Sequence, residues 1–190
     1  LEYFARAYND PRDMQASVEE SVPKGIITVA AHAGTTVEGE LGALLESTGS
    51  VTLKPANGEA ISDGNPVVLQ FDFADRQGKN LVESDGIVIG SESDNTIGKA
   101  EIEVTYTDNG KDITQKYSYT DNGLSLVDES PVKAEKDSSG NILLHLGGQV
   151  AVKRVIIRIQ GMLNNNNLAE IARVEFVNGM ESRIPEPEMD

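Results

Sequence analysis

The sequence predicts an all-β protein, an antiparallel β-sandwich or jelly roll, with a short N-terminal helical arm. Three observations carry this. Apolar residues recur with period two in one short stretch after another. Turn signals rich in Gly, Asn, Asp and Ser separate most of those stretches. Helical signals are confined to two short places, so no β-α-β alternation exists to build a parallel sheet.

The first helical place follows Asp10-Pro11-Arg12-Asp13, where Asp10 can cap and Pro11 suits the first helical position. The expectation is a helix over 11–21 inside an arm of residues 1–22, with Tyr3, Phe4 and Tyr8 packing on the main domain or a neighbour. Residues 23–180 then form the β domain. Its first strands are Ile26–Ala30 and Val51–Leu53. Residues 38–46 are the second helical place, weakened by Gly39 and Gly42. In Val67–Phe73, Val67, Leu69, Phe71 and Phe73 alternate with Val68, Gln70 and Asp72. Ile87-Val88-Ile89 follows between glycines.

Ile102, Val104 and Tyr106 alternate with Glu101, Glu103, Thr105 and Thr107, the pattern of a half-buried strand. Asp108-Asn109-Gly110 turns the chain, because asparagine and glycine tolerate positive φ. Ile113–Tyr119 returns. Ile142–Leu146, Val152–Ile159 and Leu168–Val177 complete the set. The expected inward residues are Leu69, Phe71, Ile102, Val104, Val155, Ile157, Ile171, Val174 and Phe176. Ile171, Val174 and Phe176 break strict alternation, which predicts a bulge near Ala172–Arg173. Residues 181–190, with Pro185 and Pro187, read as an extended exit linker.

Composition narrows function. The formal net charge of −15, from 31 acids against 16 bases, repels phosphate backbones and anionic lipid surfaces. Nucleic-acid binding and membrane insertion are therefore not expected, and no apolar run reaches the roughly 20 residues of a helical span. The same charge favours hard cations with oxygen ligands. There is no cysteine, so thiolate metal sites and a cysteine nucleophile are excluded. The chain opens on Leu1 and is expected to be a piece of something longer.

Signatures of catalysis are missing. Gly-x-Ser-x-Gly, His-Glu-x-x-His, a phosphate-binding loop and a dinucleotide fingerprint are all absent from the sequence. His145 stands in an apolar run and reads as a packed strand residue, and His32 reads as a strand end. Asp72, Asp75, Asp85, Glu92 and Asp94 cluster in sequence without calcium-loop spacing and read mostly as loop acids facing water. The expectation is a protein that is not an enzyme.

The order of the later strands resembles discoidin, or coagulation factor 5/8 type C, domains of the galactose-binding-like β-sandwich group. Val67–Phe73 resembles the strand that opens their core, and the hairpin at Asn109-Gly110 their central hairpin. Val152–Ile159 resembles their penultimate strand, and Ala169–Gly179 their closing strand. The resemblance spans roughly 57–179 and implies a structural calcium (Ca2+) near the chain ends. Asp63-Gly64-Asn65 and Ala169-Glu170 match the two places that supply its ligands. The set expected to hold calcium is thus Asp63, Asn65, the Ala169 carbonyl and Glu170, with Asn164–Asn167 as a solvated loop. The chain has no tryptophan, which thins any platform for stacking sugar.

Two functions follow as expectations. One is a non-catalytic structural or interaction module of a large extracellular or surface-assembled protein, bacterial or virion, whose partners are protein neighbours. The other is a carbohydrate-binding module on a surface enzyme or adhesin, with a glycan as partner.

Overall fold

The computed structural model describes residues 14–22, 25–46, 48–74, 83–92, 94–120, 123–126, 134–136 and 141–177. In chain order these form β1 (Met14–Val22), β2 (Gly25–His32), β3 (Thr35–Glu38), α1 (Ala43–Glu46), β4 (Val51–Pro55), β5 (Val67–Ala74) and β6 (Glu83–Ser91). There follow β7 (Ile97–Asp108), β8 (Lys111–Thr120), β9 (Gly123–Leu126), β10 (Ala134–Lys136), β11 (Ile142–Met162) and β12 (Ala169–Val177). Every strand pairing among the described residues is antiparallel.

One strand organises both layers. β11 is 21 residues long, and its two halves have different neighbours. Its first half pairs with β10 and β6, and from β6 the sheet continues through β12 and β4 to β3. Its second half lies between β5 and β7, in a sheet that runs β1-β2-β5-β11-β7-β8-β9. We call these the short and the long sheet. The change of partners coincides with a register shift between His145 and Val150, where Gly147 and Gly148 stand. A strand that passes from one sheet to the other needs such an irregularity at the corner. Ile142–Leu146 and Val152–Ile159, expected as separate strands, are therefore one.

Alternation places the core as expected. Leu69, Phe71, Ile102, Val104, Val155, Ile157, Ile171 and Val174 are all buried in a single cluster. Phe176 packs on that cluster from the short sheet. Its ring meets Phe71 and Phe73 of the long sheet edge-on, with centroids 5.6 and 4.7 Å away. The expected bulge in β12 is present as a register shift between Ile171 and Arg173.

Two expectations are corrected. The helix expected over 11–21 is a strand where the structure describes it, since Met14–Val22 pairs with β2. Antiparallel pairing with the next strand, Val22 opposite Gly25, overrides the local capping signal, which helix formation alone cannot sustain in so short a segment. The boundary drawn at residue 22 thus separates two paired strands. Tyr3, Phe4, Tyr8, the Asp10-Pro11 signal and the exit linker lie outside the described residues. The second helical place shrinks to the single turn α1, preceded by Gly39 at φ +110°.

Candidate functional site

The outward face of the long sheet is built in cross-strand rows. One row runs Thr28, Asp72, Arg154, Thr105, Thr114 across β2, β5, β11, β7 and β8. The next runs Ala30, Gln70, Ile156, Glu103, Lys116. A third joins Val68, Arg158, Glu101 and Ser118. Opposite charges directly across a ladder stabilise it, and long side chains bridge the rows. Arg158 lies 3.5 Å from Glu101 and 3.7 Å from Glu103, and Lys116 lies 3.5 Å from Glu103. His32 Nε2 meets Gln70 Oε1 at 2.8 Å, and Gln70 donates to Asp72 at 2.9 Å. Arg154 Nε then donates to Asp72 at 2.8 Å. Asp72, expected on the polar side of the strand Val67–Phe73, stands in β5 at the centre of this chain of contacts.

The register shift between Val152 and Arg154 changes the chemistry of the first row. A regular strand would turn one of Lys153 and Arg154 inward. The extra residue of a bulge lets both face solvent, while Val152 and Val155 stay buried on either side. Each cation finds a carboxylate on another strand, one adjacent to β11 and one beyond β7. Arg154 takes Asp72 of β5, and Lys153 Nζ takes Asp112 of β8 at 2.7 Å. Asp72, Phe73, Thr105, Asp112, Lys153 and Arg154 line a shallow cleft of about 280 Å³. The Lys153 ammonium, donating to the Asp112 carboxylate, holds that carboxyl below its ordinary value, assisted by Thr107. The result is a solvent-facing site with two donors and two acceptors and no net charge.

At one end of the sandwich, Asp63 and Asn65, both expected to hold calcium, bond to other protein groups. Asp63 sits in a tight turn closed by paired backbone bonds between Ser62 and Asn65. Its carboxylate accepts from Lys99 Nζ at 2.7 Å. The Asn65 carboxamide exchanges hydrogen bonds with Asn57 and donates to the Ala60 carbonyl at 2.9 Å. Ala169 is fully buried and pairs with Leu53 of β4. Glu170 donates its backbone N–H to Asn95 Oδ1 at 2.6 Å, and its carbonyl accepts from Glu92 N at 3.0 Å.

Asn95 is 4% exposed, and its Nδ2 donates to the Leu168 carbonyl at 3.2 Å. Asp63 and Asn65 of the expected calcium set are thus already paired within the protein. One carboxylate is neutralised by an ammonium, one amide is spent on its own loop, and a neutral carboxamide grips the start of β12.

The run Asn164–Asn167 is exposed, as expected of a solvated loop, yet its amides are structural. Asn164 donates to the Asp94 carbonyl, and Asn165 accepts from Asn167 N. Asn166 Oδ1 accepts from Met162 N at 2.5 Å, while its carbonyl accepts from Ile61 N at 2.7 Å. The structure thus ties the segment just before Asp63 to the loop before β12 through the Ile61–Asn166 backbone bond.

Lys153, Arg154, Asp112 and Asn95 were not singled out by sequence reasoning. Lys153-Arg154 between Val152 and Val155 carries the same break in alternation that reveals the β12 bulge, so that signal was available. For Asn95 there is none, because its partners lie 73 and 75 residues away.

Fold and faces define the chain as an antiparallel β-sandwich domain. No protein-family model matches it, and a search of curated proteins finds no match. Among solved structures, it is similar to the X-ray structure of GH31 CBM32-2 bound to GalNAc. The sequence identity is 15% and the TM-score 0.41, over 75% of this chain and 96% of that chain.

Proposed function

We propose that this domain is a non-catalytic interaction module of a larger extracellular or surface-assembled protein, and that the long sheet's outer face meets a protein neighbour. The observation that carries the reading is the bulge at Lys153-Arg154. It places two cations side by side, each held by a carboxylate from a different strand. A ladder irregularity that re-aims side chains into a cleft is a recurring device for recognition. The face is broad, with Ile156 at its centre beneath charged and amide groups. Arginine-bearing faces with a sheltered apolar centre suit protein partners.

A carbohydrate ligand is the second reading, favoured by one feature. Two carboxylates, an ammonium, a guanidinium and a threonine hydroxyl around one cleft could satisfy the hydroxyls of a sugar. Against it, the rings of Phe71, Phe73, Tyr117 and Tyr119 are buried, and Phe176 packs on the core. Among the described residues, no exposed ring lies in the cleft for a sugar to stack on.

The test immobilises the chain and probes it with a glycan array and with neighbouring segments of its parent polypeptide. Expected is saturable protein binding that Arg154→Ala weakens by about tenfold, or 1.4 kcal/mol, while the variant stays folded with a melting temperature within a few degrees of wild type. Glycan binding lost in Arg154→Ala, without protein binding, would replace this reading with the carbohydrate module.

A further inference from the structure

We infer that the loop end of the sandwich is closed by the Asn95 carboxamide in place of a cation, so that its order is independent of divalent metal. Resemblance to discoidin domains assigns a metal to this end, where two loops distant in sequence must be joined. The joining groups seen here are amides. Asn95 is held in position by its own backbone, whose N–H donates to the Glu92 carbonyl at 3.0 Å. From there its side chain accepts from Glu170 N and donates to Leu168 O. It thus satisfies a donor and an acceptor on either side of Ala169, at the point where the chain enters β12. A carboxamide offers both roles at once, whereas a carboxylate offers only acceptors.

The neighbouring contacts complete the clamp. Glu92 N donates to the Glu170 carbonyl, so the segments at Glu92–Asn95 and Leu168–Glu170 are tied in both directions. Leu163 N donates to the Thr96 carbonyl at 2.9 Å, and Asn164 Nδ2 to the Asp94 carbonyl at 3.2 Å. Ile61 N reaches the Asn166 carbonyl and adds the third loop. A cation would have to displace Lys99 from Asp63 to gain that carboxylate. The Leu168 carbonyl, just before β12, already accepts from Asn95. A neutral amide buried with both of its groups satisfied carries none of the desolvation cost of a buried charge.

The experiment compares melting curves and amide hydrogen exchange of metal-stripped protein in chelator and in millimolar calcium. Expected are coincident curves, and a Glu170 amide that is equally protected in both solutions. Calcium that raises the melting temperature, or a Glu170 amide protected only when calcium is present, would overturn the inference. Asn95→Ala should lower the melting temperature by a few degrees to about 10 °C, by the same amount in both solutions. An Asn95→Ala protein as stable as wild type would equally overturn it. If that variant does not fold, exchange at the Glu170 amide of the wild type decides alone.

Discussion

The two ends of this molecule's polar chemistry use opposite means. At the loop end, neutral carboxamides of Asn65, Asn95 and Asn166 hold backbone groups. On the long sheet's face, Asp72, Asp112, Lys153 and Arg154 hold one another, with side chains between 39% and 52% exposed. The difference is one of exchangeability. The buried Asn95 amide, bonded to backbone on both sides, has no better partner in water, so breaking it leaves groups unsatisfied. An exposed ion pair gives up little when one member turns to a partner, since water and salt already compete for it. The loop end is therefore the harder of the two to open, and the face exchanges its pairs more readily.

The largest expected effect tests whether these regions share one cooperative unit. Phe176 meets Phe71 and Phe73 across the sheets and lies under neither region alone. Phe176→Ala should cost about 3–5 kcal/mol. Hydrogen exchange at β5, β7 and β12 should then accelerate together. Loss of protection in β12 alone would divide the molecule into two units and break the comparison at its root.

A smaller effect belongs to the loop end. Asn166→Ala removes the acceptor for Met162 N, in a residue whose side chain is buried. The cost should be about 1–3 kcal/mol, which lowers the melting temperature by about 2–4 °C per kcal/mol at this chain length. The shift should be the same in 50 mM and 500 mM salt, because no net charge is involved. A shift that salt erases would place Asn166 among the exposed, exchangeable contacts.

Legibility follows the same division. Alternation marks inward residues locally, which is why Leu69, Phe71, Ile102, Val104, Val155 and Ile157 are readable in isolation. A bulge is also local, as Ile171, Val174 and Phe176 show, and the equal break around Lys153-Arg154 could have been read the same way. Pairing partners are not marked so plainly. The hairpin of Met14–Val22 with β2, Val22 opposite Gly25, is masked by the helix-start signal at Asp10-Pro11. Nothing around Asn95 announces a carbonyl and an N–H that arrive from the other end of the chain. Carboxylates attract attention as ligands, as Asp63 and Glu170 did, while the amide between them has no signature.

On the face, Lys153→Ala and Arg154→Ala should each change stability by less than about 1 kcal/mol. Both shifts should shrink between 50 mM and 500 mM salt, as the Debye length falls from above 10 Å to a few ångströms. A salt-independent loss of several degrees from Arg154→Ala would mean that the Asp72 pair supports the ladder itself. The face would then be as fixed as the loop end.

The smallest effect concerns Asp112, whose carboxyl is held low first by the hydrogen bond from Lys153, against some desolvation. A group with a depressed folded value stabilises the fold above its unfolded value, near 3.8, and that contribution is lost as the pH falls through the folded value. The measurement is the melting-temperature difference between wild type and Asp112→Asn across pH. It should be small and level from neutral pH to about pH 5, above the range in which the unfolded carboxyl titrates. Below that it should decline towards zero as both states take up the proton. Lys153→Met should flatten the profile, because the ammonium that holds the carboxyl down is gone. A difference that instead grows on acidification would reverse the sign. Desolvation would then outweigh the Lys153 bond, and this corner of the cleft would be more closed than its exposed ion pair implies.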